Sequence, residues 1–273
     1  GNQGAIPSHP NLLNWLSLDF MNNGWNMKRL VKTMVMSSTY RQSSKVNSKN
    51  YKQDSENVYI SRGPYKKLTA EMMRDQALAS SGLLNKKIGG KWVKPYQPDG
   101  IWNELANQIG ENKYRAGKGE DLYRRSLYTY WKRTIPVPSM ITFDAAERSM
   151  CTVKRQATST PLQSLVLLND PQYIETSRAL AESVIMSIEE KPSEWIAQSF
   201  KRVISRAPSS TEVDMLMEIY DSELSRFTSD EISKMSVIQI GESKSNNTIN
   251  KEKLAALTIV VNAIMNLDEA KHA

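Results

Sequence analysis

The chain has very few residues that can hold a transition metal. Its 273 residues include one cysteine, Cys151, and two histidines, His9 and His272. Structural zinc sites need several Cys or His ligands, so this composition excludes a site of that kind. The Cys-x-x-Cys-His motif that attaches haem c is absent as well, so any haem c would have to lie upstream of these residues. We therefore predict no metal and no cofactor within this chain.

Long apolar runs and familiar catalytic motifs are also missing. No apolar run approaches the roughly 20 residues that a membrane-spanning helix requires, and no signal peptide is present. The sequence contains no nucleophile elbow, phosphate-binding loop, dinucleotide fingerprint or metalloprotease motif. It also lacks the signatures of the common nucleic-acid-binding modules, which argues against a nucleic-acid partner. The absence of these motifs argues against the familiar enzyme classes.

Most of the chain has the apolar spacing of α-helices. Residues 11–21 and a second stripe that Asn26 caps predict a helical hairpin, and Thr69 caps a third helix through Leu84. Prolines open several of the helices predicted after residue 160. The helices that a proline opens are Pro161 to Leu168, Pro171 to Ser187 and Pro192 to Arg206. A fourth helix, capped by Ser210 or Thr211, ends at Phe227, and a last helix from Lys251 to Leu267 follows a surface loop over 238–250.

The central part of the chain has a different composition. Residues 89–119 are rich in Gly and Pro and predict irregular structure with a short helix near Ile101 to Gln108. Only Leu127 to Trp131 alternates like a strand, so any sheet should be small. The predicted fold class is mainly α, a multi-helix bundle with an irregular central insertion and at most a small sheet.

Positive charge is concentrated in one stretch. Between Lys28 and Lys67 there are ten Lys and Arg residues but only two acids, Asp54 and Glu56, in a chain of net charge +7. Such a surplus attracts anionic partners, which here include an acidic or sulfated glycan and the acidic rim of a redox protein. The alternative interpretation is a solvated helix face followed by a lysine-rich loop.

The segment from Asp121 to Arg148 has the densest mixture of arginine and aromatic residues. Guanidinium groups and aromatic faces bind planar anions or stabilise buried ion pairs, so we expect a site here. Asp144 and Glu147 would share a face on a helical turn, and Glu71 and Asp75 would do so on the third helix. These four acids are the catalytic candidates. The binding candidates are Arg124, Arg125, Tyr128, Trp131, Arg133 and Arg148.

An ion-pair network is the alternative to catalysis at these residues. Six cations could neutralise the four acids: Arg124, Arg125, Lys132, Arg133, Arg148 and Arg155. Of these, we expect Arg124, Arg125 and Arg148 to pair with the acids and fix the segment against the third helix, because an unpaired buried charge costs several kcal/mol.

Several motifs occur in a fixed order along the chain. They are Pro7-Ser8-His9-Pro10, Gly24-Trp25-Asn26-Met27-Lys28, Ala70-Glu71-Met72-Met73-Arg74-Asp75, Tyr123-Arg124-Arg125-Ser126-Leu127-Tyr128 and Thr160-Pro161-Leu162-Gln163-Ser164-Leu165. In combination they resemble the planctomycete-type PSD domain, a bacterial domain of unknown function found C-terminal to cytochrome-c-like regions. The resemblance implies one domain over 1–273, with possible sub-units 1–88, 89–160 and 161–273. Because the chain opens inside a family motif without a starting methionine, we expect it to be part of a longer protein.

Two functions remain open at this stage. The first is a binding or scaffolding module of a larger protein, whose extracytoplasmic, periplasmic location and cytochrome-c association are implied by the resemblance alone. Its partners would be other domains of that protein, an anionic glycan or a redox protein. The second is a hydrolase or lyase acting on an anionic polysaccharide, with Asp144 and Glu147 as acid and base. Carboxylates of a glycosidase flank an open cleft, whereas those of a structural network are buried against arginine.

Overall fold

The computed structural model describes residue 4 and residues 6–46, 48–102, 114–189 and 191–272. The chain divides into two compact units, Gly1–Lys66 and Lys67–Ala273. None of the helices in the described ranges is both long and apolar enough to cross a bilayer.

The described residues are mainly helical, which confirms the predicted fold class. Eleven α-helices occur in them, and strands do not. In chain order the helices are α1 (Pro10–Asn22), α2 (Met27–Met36), α3 (Ser48–Gln53), α4 (Ala70–Ser81), α5 (Pro138–Thr142), α6 (Pro161–Asn169), α7 (Pro171–Ser187), α8 (Pro192–Ile204), α9 (Ser210–Ser229), α10 (Glu231–Ile238) and α11 (Lys251–Met265).

The first unit begins with the predicted hairpin of α1 and α2. The side chain of Asn26 accepts a hydrogen bond from the Arg29 amide and so caps α2, as the sequence predicted. Neither helix has a buried residue. The sequence did not predict α3, which lies within the Ser-, Asn- and Lys-rich connection.

The second unit is built around α11, which packs on α7, α8 and α9. Ten residues of α11 are buried, among them Leu254, Leu257 and Val261. They form one apolar core with Leu180 of α7 and Phe200 of α8. The bundle predicted from Pro161 onward is therefore confirmed.

Several helix boundaries in the second unit differ from the prediction, and two of them have a clear local cause. Ser209, rather than Ser210 or Thr211, caps α9, because its hydroxyl and the Glu212 side chain satisfy each other's backbone amides. Helix α4 ends at Ser81, since Gly82 adopts a left-handed conformation with φ of 81° that terminates the helix before Leu84.

The strand predicted over Leu127 to Trp131 is absent. A short 3-10 helix, Ser126–Tyr128, occupies its start, and the backbone of this region forms isolated bridges, such as Val93 with Thr129, rather than a ladder. The short helix predicted near Ile101 to Gln108 lies mostly on residues 103–113, outside the described part of the chain.

Candidate functional site

An open depression of about 720 Å³ lies along one side of α4, and we call it the α4 groove. Three of the residues that the sequence selected as site candidates line it: Glu71, Asp75 and Arg148. The complete lining is Leu68, Thr69, Glu71, Met72, Asp75, Gln76, Leu127, Arg148, Arg155 and His272.

Glu71 is already paired within this groove. Its carboxylate lies 2.7 Å from the Arg155 guanidinium. Burial by itself would raise the pKa of Glu71, but the hydrogen bond from Arg155 and those from the backbone outweigh it, and the net effect lowers the pKa. Glu71 is therefore ionised at neutral pH and holds no proton to donate. Its chemistry suits pairing with a cation better than general acid catalysis.

Asp75, one turn further along α4, makes a structural contact. Its carboxylate accepts a hydrogen bond of 2.7 Å from the Ser126 amide and lies 3.9 Å from the Arg74 guanidinium. This contact fixes the segment after Arg125 against α4. The segment is thus attached to the helix as the sequence predicted, but a backbone amide makes the contact in place of an arginine.

Arg148 is held by an aromatic ring at the mouth of the groove. Its guanidinium lies 4.7 Å from the centroid of the Trp131 ring, and the Trp131 indole donates a hydrogen bond of 3.1 Å to the Glu147 carbonyl. Arg148 forms no ion pair with any described residue. Stacking of this kind orients a guanidinium while leaving its outer N–H groups available.

Asp144 and Glu147 line a second depression of about 410 Å³, which shares Arg148 and Arg155 with the α4 groove. The predicted helical turn is absent here, because α5 ends before Asp144, which adopts a positive φ of 59°. Both carboxylate oxygens of Asp144 accept hydrogen bonds from Thr158. Glu147 is exposed to solvent. Asp144 is thus engaged by Thr158 and Glu147 faces water, so neither carboxylate is buried against an arginine.

Arg124 is buried and bonds to the main chain. Its guanidinium donates to the carbonyls of Lys87, Gly89 and Lys91, and it stacks 4.0 Å from the centroid of the Tyr128 ring. The Tyr128 hydroxyl in turn accepts a hydrogen bond from the Gly89 amide. Both side chains therefore hold the irregular loop over 87–91 in place.

The predicted pairing of Arg124, Arg125 and Arg148 with the four acids is wrong. Arg124 binds carbonyls, Arg148 stacks on Trp131, and Arg125 is exposed, as is Arg133. Arg155, which the sequence offered among the cations able to neutralise these acids, is the partner of Glu71.

The sequence also missed the apolar members of the groove, Met72 and Leu127. Leu127 is 75% exposed although it lies inside the motif-dense segment. Met72 precedes Asp75 by three residues and Gln76 by four, a helical spacing that puts all three on one side of α4. This spacing in the sequence could have identified Met72 as a residue of the groove.

The second unit contains a further arginine with a structural role, Arg74. Its buried guanidinium donates to the carbonyls of Leu122 and Arg124, to the Ser126 hydroxyl and to the Gln172 side chain. No group of three potential metal-ligating acids, histidines or cysteines occurs in the described ranges.

Comparison with known proteins places the chain in a family. The model of the PSD1 family, described as protein of unknown function (DUF1553), matches residues 1–220. The chain belongs to this family, as the motifs predicted. No curated protein and no solved structure matches it significantly.

The Glu71–Arg155 pair gives a direct titration test. We expect the pKa of Glu71, followed by NMR of labelled glutamate side chains, to lie below the ordinary value of about 4.3. The pair then stabilises the fold above that pH, and its contribution is lost as the pH falls through the lowered pKa. Arg155→Ala should raise the pKa of Glu71, because the burial remains and the donor is gone. Arg133→Ala, at an exposed arginine outside the groove, is the control. An identical Glu71 pKa in Arg155→Ala would contradict the pairing.

Proposed function

We propose that this chain is a binding module of a larger extracytoplasmic, cytochrome-c-associated bacterial protein, and that the α4 groove is its contact site for an acidic, partly apolar segment of another domain of that protein. The location and the cytochrome association rest on the family resemblance alone. The contact site rests on the geometry of the groove.

The observation that carries the proposal is the state of Arg148. Its guanidinium is oriented by Trp131, has no ion-pair partner among the described residues, and lies at the mouth of the groove. A carboxylate is the natural partner for such an arginine, because both groups are planar and two parallel hydrogen bonds can form.

The rest of the groove suits a protein segment. Met72 and Leu127 expose apolar side chains beside Arg148. Exposed apolar surface rimmed by polar groups is typical of protein contact sites, in which a few anchors supply most of the binding energy. Glu71 is neutralised by Arg155, and the other acid of the groove, Asp75, accepts a hydrogen bond from the Ser126 amide. Both acids therefore repel an acidic ligand less strongly than free carboxylates would.

The hydrolase or lyase alternative has less support. Glu147, one of the two acids assigned to catalysis, is exposed to solvent, whereas catalytic sites usually exclude water from the reacting groups. Asp144 is occupied by Thr158 through both oxygens. We therefore favour binding over catalysis at both depressions.

Photo-crosslinking in the parent protein tests the contact site. A benzophenone amino acid at position 127 should crosslink to another domain of the same protein, and Arg148→Ala should reduce the yield about tenfold, as expected for the loss of about 1.4 kcal/mol from a charge-assisted contact. Arg133→Ala should leave the yield unchanged. The same probe at Ile232, an exposed apolar position on α10, is the positional control. Equal crosslinking from positions 127 and 232, or an unchanged yield in Arg148→Ala, would contradict the proposal.

A further inference from the structure

The first unit carries almost all of the net charge of the chain. Residues 1–66 contain nine Lys and Arg residues and three Asp and Glu residues, a net charge of +6 out of +7 for the whole chain. Six of the nine cations lie between residues 41 and 66. A local excess of this size raises the concentration of polyanions near the surface.

The same stretch also exposes tyrosine side chains. Tyr40, Tyr51 and Tyr59 are all exposed, and Tyr59 has 73% of its surface accessible. The exposed cations Arg41, Lys45, Lys52 and Lys66 alternate with them along the chain. We call residues 40–46 and 48–66 the basic tyrosine surface.

Local hydrogen bonds give this surface a defined shape. The Asp54 carboxylate accepts from the amides of Val58 and Tyr59, at 2.7 and 3.0 Å. Arg62 donates to the carbonyls of Asp54 and Ser55, and its guanidinium lies 5.4 Å from the centroid of the Tyr51 ring. The turn over 54–62 is therefore fixed before any ligand arrives, and the carboxylate of Asp54 is buried within it.

A close backbone contact joins the two ends of the surface. The Gly63 amide donates to the Ser43 carbonyl at 3.0 Å, and the Gln42 side chain donates to the Ile60 carbonyl at 2.9 Å. A Cβ atom at Gly63 would lie 2.5 Å from the Gln42 carbonyl oxygen, so only glycine fits there. Residues 40–43 consequently lie beside the turn that carries Tyr59.

We propose that the basic tyrosine surface binds an acidic or sulfated polysaccharide. Lysine ammonium groups attract sulfate and carboxylate groups as point charges, and tyrosine rings stack on the apolar face of a sugar while their hydroxyls hydrogen-bond to its hydroxyl groups. Glu56 is the one exposed acid among the described residues of this surface. Of the two arginines of this surface, Arg62 is engaged by backbone carbonyls, which leaves Arg41 for the bidentate contacts that favour phosphate, against the exposed lysines Lys45, Lys52 and Lys66. The site is separate from the α4 groove and does not depend on the function proposed for it.

A binding titration of the full chain tests this assignment. The probes are heparin, polygalacturonate, neutral dextran and single-stranded poly(dT), each at low and high salt. Heparin and polygalacturonate should bind at low salt and weaken steeply as salt rises, because exposed charges are screened beyond about 8–10 Å at physiological ionic strength. Dextran should bind far more weakly than either. Stronger binding of poly(dT) than of both acidic polysaccharides would overturn the polysaccharide assignment in favour of nucleic acid.

Matched variants locate the site. The triple variant Lys45→Gln, Lys52→Gln, Lys66→Gln should weaken heparin binding by about tenfold or more. The control variant Lys86→Gln, Lys118→Gln, Lys201→Gln removes the same charge from exposed positions of the second unit and should change heparin affinity much less. Tyr59→Ala should lower the affinity about fivefold even at high salt, since stacking is not screened. Equal effects of the two triple variants, or no binding to either acidic polysaccharide, would overturn the proposal. Arg148→Ala should leave this binding unchanged.

Discussion

Replacing Arg74 by methionine should lower the free energy of unfolding by about 3–5 kcal/mol. The Arg74 side chain is buried, and its guanidinium makes four hydrogen bonds, two of them to main-chain carbonyls. Methionine fills a similar volume but donates none of these bonds. The carbonyls of Leu122 and Arg124 would then lose their charged donor inside the fold, where an unsatisfied polar group costs about 1–3 kcal/mol. Urea unfolding followed by circular dichroism measures the difference.

Arg125→Ala is the matched control for this substitution. Arg125 lies next to one of the residues that Arg74 holds, but it is exposed to solvent. Its removal should change the free energy of unfolding by no more than about 0.5 kcal/mol. If both variants lose the same stability, the Arg74 contacts do not carry the stabilisation that the geometry implies. A melting temperature unchanged in Arg74→Met would have the same meaning.

Local patterns were sufficient for most of the helices. Asn26 and Thr69 cap α2 and α4 as predicted, and Pro161, Pro171 and Pro192 open α6, α7 and α8. In each case the capping residue or proline is adjacent in the sequence to the helix that it starts, so the local pattern is enough to predict where the helix begins. The helical bundle could be predicted as well, because these helices carry apolar residues that are buried when the helices pack together.

The region from Leu122 to Trp131 could not be predicted in the same way. The apolar alternation of Leu127 to Trp131 is typical of a strand, but the backbone of the region is held by Arg74 and Asp75, about 50 residues earlier in the chain. Its remaining contacts are isolated bridges, such as the one between Val93 and Thr129, and do not extend into a ladder. Partners this distant in sequence leave no local pattern, so the 3-10 helix at Ser126–Tyr128 was not foreseen.

The sequence predicted which residues belong to the candidate site better than it predicted which of them contact each other. Glu71, Asp75 and Arg148 do line one groove. Which arginine contacts which acid depends on the path of the chain after α5, where Asp144 and Arg148 both have positive φ values near 60°. Two such residues within five positions reverse the chain locally, and non-glycine residues seldom adopt this conformation. The sequence gives no sign of these conformations, so it could not decide whether Arg148 or Arg155 contacts Glu71; the structure shows Arg155.

Gln163→Leu should lower the free energy of unfolding by about 2–4 kcal/mol, because each buried group that loses its partner costs about 1–3 kcal/mol. The Gln163 amide donates to the Thr142 carbonyl at 2.9 Å and to the Thr158 hydroxyl at 3.2 Å, and its carbonyl accepts from the Lys67 ammonium. One buried side chain therefore ties together three separate parts of the second unit. Gln156→Leu, at an exposed position nearby, is the control and should be nearly neutral.

A double-mutant cycle with Lys67→Met separates this network from simple loss of packing. Lys67 donates to both Gln163 and the Thr158 carbonyl, and burial lowers the pKa of its ammonium group while nearby Asp144 opposes that shift. Once Gln163 is replaced, Lys67 has already lost one acceptor, so removing it should cost less than in the unaltered chain. We expect a coupling of about 0.5–3 kcal/mol, as found for residues within one hydrogen-bond network. Additive effects would mean that Gln163 and Lys67 act independently. A coupling in that range would show that Gln163 stabilises the turn beside the α4 groove through its polar contacts.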